Sequence, residues 1–178
     1  MSTTRKDFWL GAALLAGCGI VSLLPVDVSA QQGVMGERAP SFALEDVAGR
    51  TMSMKELRGK IVVLDFWAVW CGPCQNSMPF FQKIQNEYGK YGLEVIGVHV
   101  DDRMPPIDTV RQFLDERGIR YRNLVSTREV DDKFMIYAMP TTYLVDRDGV
   151  VAKRHVGYNS VKTPSLLESD VRDLLELD

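Results

Sequence analysis

The stretch that decides the fold reads Asp65-Phe66-Trp67-Ala68-Val69-Trp70-Cys71-Gly72-Pro73-Cys74. Its first residues continue a β-branched and aromatic run that begins at Ile61, which predicts a buried strand over 61–67. Residues 74–88 follow with apolar side chains at helical spacing, and these share one face: Met78, Phe81 and Ile84. Two cysteines therefore stand where a buried strand gives way to a helix.

This position of the cysteines predicts thiol–disulfide chemistry. A thiol attacks a disulfide as its thiolate, and a helix amino terminus favours the thiolate through the helix dipole and unpaired N–H groups. Cys71 takes that place, so we expect it to be the attacking sulfur. Cys74 lies one turn inside the helix and can resolve the mixed disulfide. Pro73 suits the first turn, where its missing N–H costs little.

A structural zinc site is the alternative for a Cys-x-x-Cys pair. It requires four ligands, commonly from paired motifs. Beyond the amino-terminal stretch the other candidate ligands of this type are His99 and His155, which lack the spacing of a zinc motif. We therefore expect no metal. His99 is expected to end a strand without special chemistry, and His155 to lie on the surface.

The remaining pattern predicts an α/β domain with a mixed sheet. Strands are expected at 93–100, 141–145 and 150–152, the last two joined by a turn at Asp148-Gly149. Helices are expected over the following ranges: 107–117, 130–137 and 165–175. The last helix should turn five side chains inward: Leu166, Leu167, Val171, Leu174 and Leu175.

The first thirty residues have the layout of an export signal. Arg5 and Lys6 precede an uncharged stretch over 8–26, and small residues lead up to Ala30. Three interpretations stay open. Cleavage after Ala30 would release the domain. Retention would leave an anchor, because the length of the uncharged stretch approaches the ~20 apolar residues needed to span a bilayer. Alternatively, lipidation would occur at Cys18. All three place the cysteine pair outside the cytoplasm.

The net charge and its distribution argue against a nucleic-acid partner. Among 178 residues the net charge is −3, and basic residues are scattered among acidic ones. A nucleic-acid partner would require a basic surface, which this pattern does not provide. We therefore expect no nucleic-acid binding.

The motif residues together resemble the active-site segment of the thioredoxin superfamily. Pro79 matches the proline inside that family's active-site helix, and Met139-Pro140-Thr141-Thr142 resembles its cis-proline loop. The resemblance implies a thioredoxin-like fold over 31–178, with a central mixed β-sheet flanked by helices, and a cis Pro140. It also implies an apolar substrate platform, for which the candidates are Trp67, Trp70, Met139 and Pro140. For Trp67, core packing is the better interpretation.

Within the superfamily the chain is most similar to the extracytoplasmic TlpA/ResA-like branch. The similarity rests on residues 36–44, the approach to the first strand at 57–60, and the hairpin at 143–149. Some ResA-like proteins that reduce apocytochrome c carry a glutamate shortly after the second cysteine. Here Gln75, Asn76 and Ser77 fill that stretch. Cytochrome c maturation is therefore a hypothesis within a more general disulfide-reducing role.

Asp65 is the third candidate catalytic residue. A carboxyl group in an apolar strand should be buried, and desolvation should raise its pKa. It could accept the proton of Cys74, or it could be a core acid satisfied by hydrogen bonds. The similarity to thioredoxin favours the first role.

The resemblance implies a monomeric extracytoplasmic reductant, in the bacterial periplasm or on the outer face of the cytoplasmic membrane. Its substrates would be disulfide-containing exported proteins, and its electrons would come from a membrane thiol donor. No cofactor is expected beyond the redox-active disulfide Cys71–Cys74. Two alternatives are a thiol peroxidase, which is disfavoured because Ala68 stands where a threonine is expected, and a redox-inactive binding module or holdase.

Overall fold

A computed structural model describes residues 34–100 and 105–177 of the chain. Two short 3₁₀ turns, at Met54–Leu57 and Gly89–Tyr91, connect larger elements. The strands and helices are, in chain order, β1 (Ala43–Glu45), β2 (Thr51–Ser53), β3 (Ile61–Trp67), α1 (Gly72–Tyr88), β4 (Leu93–His99), α2 (Ile107–Glu116), β5 (Arg122–Val125), α3 (Arg128–Lys133), β6 (Thr141–Val145), β7 (Val151–Val156) and α4 (Thr163–Leu175).

The central sheet has five strands in the order β5-β4-β3-β6-β7, and β1 pairs with β2 in a separate antiparallel ribbon. Strands β3, β4 and β5 are parallel, whereas β6 and β7 run antiparallel to their neighbours. The mixed sheet flanked by helices is thus confirmed. Phe66 pairs with Thr141, so the carboxyl end of β3 meets the amino end of β6. That edge of the sheet carries the cysteine motif.

Each face of the sheet has its own apolar layer, because successive side chains of a strand point to opposite faces. On one face, α1, α2 and α4 pack on the odd-numbered residues of β3, and both cysteines belong to this layer. On the other face, the even-numbered residues of β3 meet α3 and the β1–β2 ribbon. Asp65, as an odd-numbered residue of β3, faces the layer that contains the cysteines.

Most predicted elements are present. The strands at 61–67 and 141–145 have the predicted bounds, and the helix after the motif begins at Gly72, two residues earlier than predicted. Gly149 adopts a φ of 82°, as the hairpin requires. The strand predicted at 150–152 extends to Val156, because it continues to pair with β6 along its length.

Three features of the strands and helices differ from the prediction. Strand β5 was not predicted, since four residues that include Arg122 and Asn123 give no apolar pattern. The helix predicted at 130–137 is α3, which starts earlier because Thr127 caps it by accepting from the N–H of Val130. Leu166 is 54% exposed. The buried face of α4 carries Leu167, Val171 and Leu175, spaced four residues apart, and Leu166 lies beside this stripe.

Within residues 34–100 and 105–177, no helix is long and apolar enough to cross a membrane. The predicted export signal over 1–30 lies outside the described residues, as do the proposed lipidation at Cys18 and the anchor over 8–26.

Candidate active site

The two cysteines form a disulfide at the start of α1. Their sulfurs are 2.01 Å apart, and their Cα atoms are 5.3 Å apart. Cys71 is the N-cap residue, and its Sγ accepts a hydrogen bond of 3.2 Å from the N–H of Cys74. Cys71 is 5% exposed and Cys74 is fully buried. Of the two cysteines, Cys71 at the helix terminus is therefore the one with some exposure to solvent.

The loop between β3 and α1 is held by two hydrogen bonds. The N–H of Cys71 donates to the carbonyl of Ala68 over 3.0 Å. The side chain of Gln75 donates from Nε2 to the carbonyl of Val69 over 2.8 Å. Trp70 directly precedes Cys71 in this loop and is 48% exposed. Its indole is therefore a large exposed apolar group next to the cysteine motif.

Asp65 is completely buried in the middle of β3. Its Oδ1 accepts a hydrogen bond of 3.1 Å from Oγ1 of Thr142, the residue directly opposite on β6. Its Oδ2 is buried without a hydrogen-bond partner among the described residues. Burial raises the pKa of Asp65 to about 7, against the smaller opposing effect of the Thr142 bond. The expected upward shift of this pKa is thus confirmed, while its role in proton transfer stays a prediction.

The peptide bond between Met139 and Pro140 is cis, as the resemblance implied. The carbonyl of Pro140 accepts from the N–H of Gly157 over 2.8 Å, which joins this loop to the end of β7. Met139 is half-buried and packs against the apolar layer that contains both cysteines. The structure therefore brings Met139 and Pro140 to the same edge of the sheet as the disulfide.

Trp67 packs in the core, as expected, and is fully buried. Its indole Nε1 donates to Oδ1 of Asn123 over 2.9 Å. Its ring stacks on Phe113, with centroids 5.5 Å apart, and meets the ring of His99 edge-on at 4.8 Å. His99 ends β4 as predicted and lies buried against this tryptophan. Trp67 consequently fixes the end of β3 and offers no surface to a substrate.

His155 was predicted to be a surface residue, and that prediction was wrong. Its side chain is only 15% exposed, and its Nε2 lies 2.8 Å from Oδ2 of Asp170 on α4. Strand β7 is longer than predicted and runs beneath α4, which covers His155. The helix was predicted, but the local sequence does not reveal its contact with His155.

The chain matches the model of the AhpC/TSA family over residues 35–154. The chain belongs to this family. It is 33% identical over 180 residues to the thiol-disulfide oxidoreductase ResA of Halalkalibacterium halodurans, with 97% of this chain and 96% of the relative covered. It is also 32% identical to the thioredoxin-like protein YneN of Bacillus subtilis, over 80% of this chain and 79% of that protein.

A solved structure of a thioredoxin family thiol:disulfide interchange protein from Chlorobium tepidum superposes with a TM-score of 0.68. It is 27% identical and covers 78% of this chain and 95% of its own. The fold is therefore thioredoxin-like, and the protein is a thiol–disulfide oxidoreductase that acts on disulfide-containing proteins.

Three residues that complete the site were not predicted as site residues. Thr142 belongs to the predicted cis-proline loop, Asn123 lies in the strand that was not predicted, and Gln75 stands in the stretch where some ResA-like proteins carry a glutamate. The position of Thr142 opposite Asp65 follows from the antiparallel register of β3 and β6. No local pattern marks Asn123 or Gln75, because both act through partners in other elements or loops.

Proposed function

We propose that this protein is an extracytoplasmic reductant of disulfide bonds in exported proteins, with cytochrome c maturation as one such use. The observation that carries the proposal is the Cys71–Cys74 disulfide at the amino terminus of α1. A disulfide at this place opens to a dithiol whose outer sulfur is favoured as a thiolate. The couple needs no further cofactor, because the two sulfurs carry both electrons.

In the forward reaction the Cys71 thiolate attacks one sulfur of the substrate disulfide. The substrate S–S bond breaks, its second sulfur leaves as a thiolate that takes a proton from solvent, and a mixed disulfide forms with Cys71. Cys74 then attacks Sγ of Cys71, which releases the other substrate sulfur and closes the Cys71–Cys74 disulfide. The substrate gains two electrons, and the enzyme loses two.

Asp65 is the proposed base in the second step. Cys74 must lose its proton to attack, and Cys74 and Asp65 both face the buried layer between the sheet and α1. A carboxyl group with a pKa of about 7 is partly ionised near neutral pH, so it can accept the proton and later return it to solvent.

The proposed substrate contacts are Trp70, Met139 and Pro140. Trp70 supplies the exposed indole, and the cis-proline loop lies beside the disulfide at the same edge of the sheet. An extended substrate segment that runs across this edge would place its disulfide next to Cys71.

The compartment and the electron source follow from the amino-terminal sequence. Residues 1–30 have the layout of an export signal or anchor, and oxidising compartments require a separate electron source for a reductant. We propose that a membrane thiol protein reduces the Cys71–Cys74 disulfide between turnovers, and that the domain acts as a monomer.

Three measurements test the proposal. Equilibration with glutathione or dithiothreitol, followed by tryptophan fluorescence, should give a potential nearer the ~−270 mV of thioredoxin than the ~−120 mV of DsbA. A Cys74→Ala variant should accumulate mixed disulfides that identify the substrates. A potential close to that of DsbA would make the protein an oxidant, and the reductant proposal would then be abandoned. Failure to reduce insulin would instead favour the binding module.

A further inference from the structure

The side-chain amide of Gln75 makes two hydrogen bonds near the disulfide, one through its nitrogen and one through its oxygen. Its Nε2 donates to the carbonyl of Val69 over 2.8 Å, and its Oε1 accepts from the guanidinium of Arg117 over 3.2 Å. The orientation of the amide is fixed, because the Val69 partner can only accept and the Arg117 partner can only donate. Gln75 therefore joins the active-site helix to the loop before Cys71 and to the end of α2.

Helix α1 lacks one backbone hydrogen bond at Gln75. Within an α-helix the carbonyl of residue 75 would accept from the N–H of residue 79. Pro79 has no N–H and lies inside α1, so this bond is missing. The backbone link from Gln75 to the following turn therefore lacks one hydrogen bond, so side-chain contacts at Gln75 matter more.

Arg117, at the end of α2, connects Gln75 to the residues that pack on Trp67. Its guanidinium lies 3.7 Å from the centroid of the Phe113 ring, and that ring stacks on Trp67 at the end of β3. The segment 68–70 is consequently flanked by Trp67, which packs on this ring, and by Cys71, which lies one helical turn before Gln75. Both ends of the loop are tied to the same carboxyl-terminal part of α2.

We propose that Gln75 is a positioning residue, which holds the segment Val69–Cys71 so that Sγ of Cys71 stays at the amino terminus of α1 when the disulfide is open. This inference rests on the proposed function, in which Cys71 is the attacking thiol. In the oxidised protein the S–S bond itself fixes Cys71. After reduction that bond is gone, whereas the hydrogen bond from Gln75 to Val69 still ties the loop to the helix.

The consequence concerns the reactivity of the reduced enzyme. Stabilisation of an anion by the helix terminus falls off within the first turn. A loop that is free to move lets the Cys71 sulfur leave this position, so a smaller fraction of the thiol is ionised at neutral pH. Because the thiolate is the reacting form, the rate of attack should fall with that fraction.

The test compares Gln75→Met with Gln112→Met in the full chain. Methionine keeps the length of the glutamine side chain and loses both hydrogen bonds. Gln112 is an exposed residue of α2 whose amide donates to Glu116, so it controls for loss of a surface amide. The reduced proteins are alkylated with iodoacetamide between pH 5 and 9, and mass spectrometry follows the modification of Cys71.

We expect Gln75→Met to lower the rate of Cys71 alkylation at pH 7 by about threefold to tenfold and to move the midpoint of the pH profile upward. Gln112→Met should match the wild type. Arg117→Ala should have a smaller effect, since the Gln75–Val69 bond remains. If Gln75→Met does not fold, Gln75→Ala replaces it. That variant cannot donate to Val69 and should move the midpoint in the same direction.

An unchanged pH profile in the Gln75 variant would overturn the inference, even if its melting temperature falls, because a purely structural role would do only that. An equal shift in Gln112→Met would overturn it as well. The wild-type profile separates this inference from the proposed function. If wild-type Cys71 reacts no faster than Cys74, the assignment of the attacking thiol fails. If wild-type Cys71 is the faster thiol and Gln75→Met is unchanged, only the positioning role fails.

Discussion

The hydroxyl of Thr142 donates to the carboxyl group of Asp65 over 3.1 Å, across the antiparallel pair β3–β6. This bond joins the strand that leads into the cysteine motif to the strand that follows the cis proline. It satisfies one oxygen of a fully buried acid and leaves the second oxygen without a partner among the described residues. Ionised Asp65 is therefore poorly solvated, which is the physical reason that its pKa rises to about 7.

Replacing Asp65 with asparagine should stabilise the protein at alkaline pH. A raised pKa in the folded state means that folding favours the protonated acid, so stability falls as pH rises from the unfolded value of 3.8 to the folded value of about 7. Asparagine removes this penalty and can still bond to Thr142. At one pKa unit per 1.36 kcal/mol, the gain in unfolding free energy at pH 8 is on the order of 4 kcal/mol.

Urea unfolding at pH 5 and pH 8 measures this difference. The gain from Asp65→Asn should be markedly smaller at pH 5, where the wild-type acid is already protonated in the folded state. A gain that is the same at both pH values would show that Asp65 is not buried as a neutral acid. The same variant should also slow release of the mixed disulfide, because asparagine cannot accept the proton of Cys74.

Cys71 should be the more reactive thiol of the reduced protein. It caps α1 and is 5% exposed, whereas Cys74 is fully buried. Its pKa should be below that of an ordinary thiol because of the helix terminus. Alkylation of Cys71→Ala and Cys74→Ala single variants as a function of pH measures this. Faster reaction at Cys74 across neutral pH would reverse the assignment of attacker and resolver.

Trp70 should contribute to substrate binding more than to thiol chemistry. Truncation to alanine removes the largest exposed apolar side chain next to the disulfide, and we expect the KM for insulin to rise about threefold to tenfold with little change in kcat. Tyr91→Ala is the matched control, because Tyr91 is also 48% exposed and lies before β4 at the opposite edge of the sheet. Equal effects of both variants would argue against a platform at Trp70.

Gly97 should tolerate no side chain. A Cβ at this position would lie 2.0 Å from Oδ1 of Asn123 and 3.0 Å from Nε1 of Trp67. Gly97→Ala must therefore displace the amide that bonds to the Trp67 indole, at a cost of about 2 kcal/mol or more in unfolding free energy. Urea unfolding of this variant measures the loss.

Two further variants test this explanation. Adding Asn123→Ala to Gly97→Ala should cost less than the sum of the two single changes, because the second removes the atoms that clash. Gly72→Ala should leave stability unchanged or slightly higher, since a Cβ there meets nothing within 4 Å. Full additivity in the double variant would contradict the proposed contact.

The sequence by itself determined the parts of the site that depend on neighbouring residues. The apolar run over 61–67, the two cysteines and the helical spacing after them predict a disulfide at a helix start, and the structure contains it. The burial of Asp65 also follows from the apolar residues on either side of it. Each of these features depends on residues that are close together in sequence, and periodicity and spacing over such a short stretch indicate the local structure.

Only the tertiary structure decided which distant residues meet. Thr142 reaches Asp65 through strand register, and Asn123 reaches Trp67 because Gly97 between them has no side chain. Asp170 covers His155 because α4 lies over the end of β7. In the first two cases a shift of one residue in strand pairing would turn the side chain to the other face, and the third case depends on how a helix packs across the sheet. Register is set by packing of the whole sheet, so no local stretch of sequence contains it.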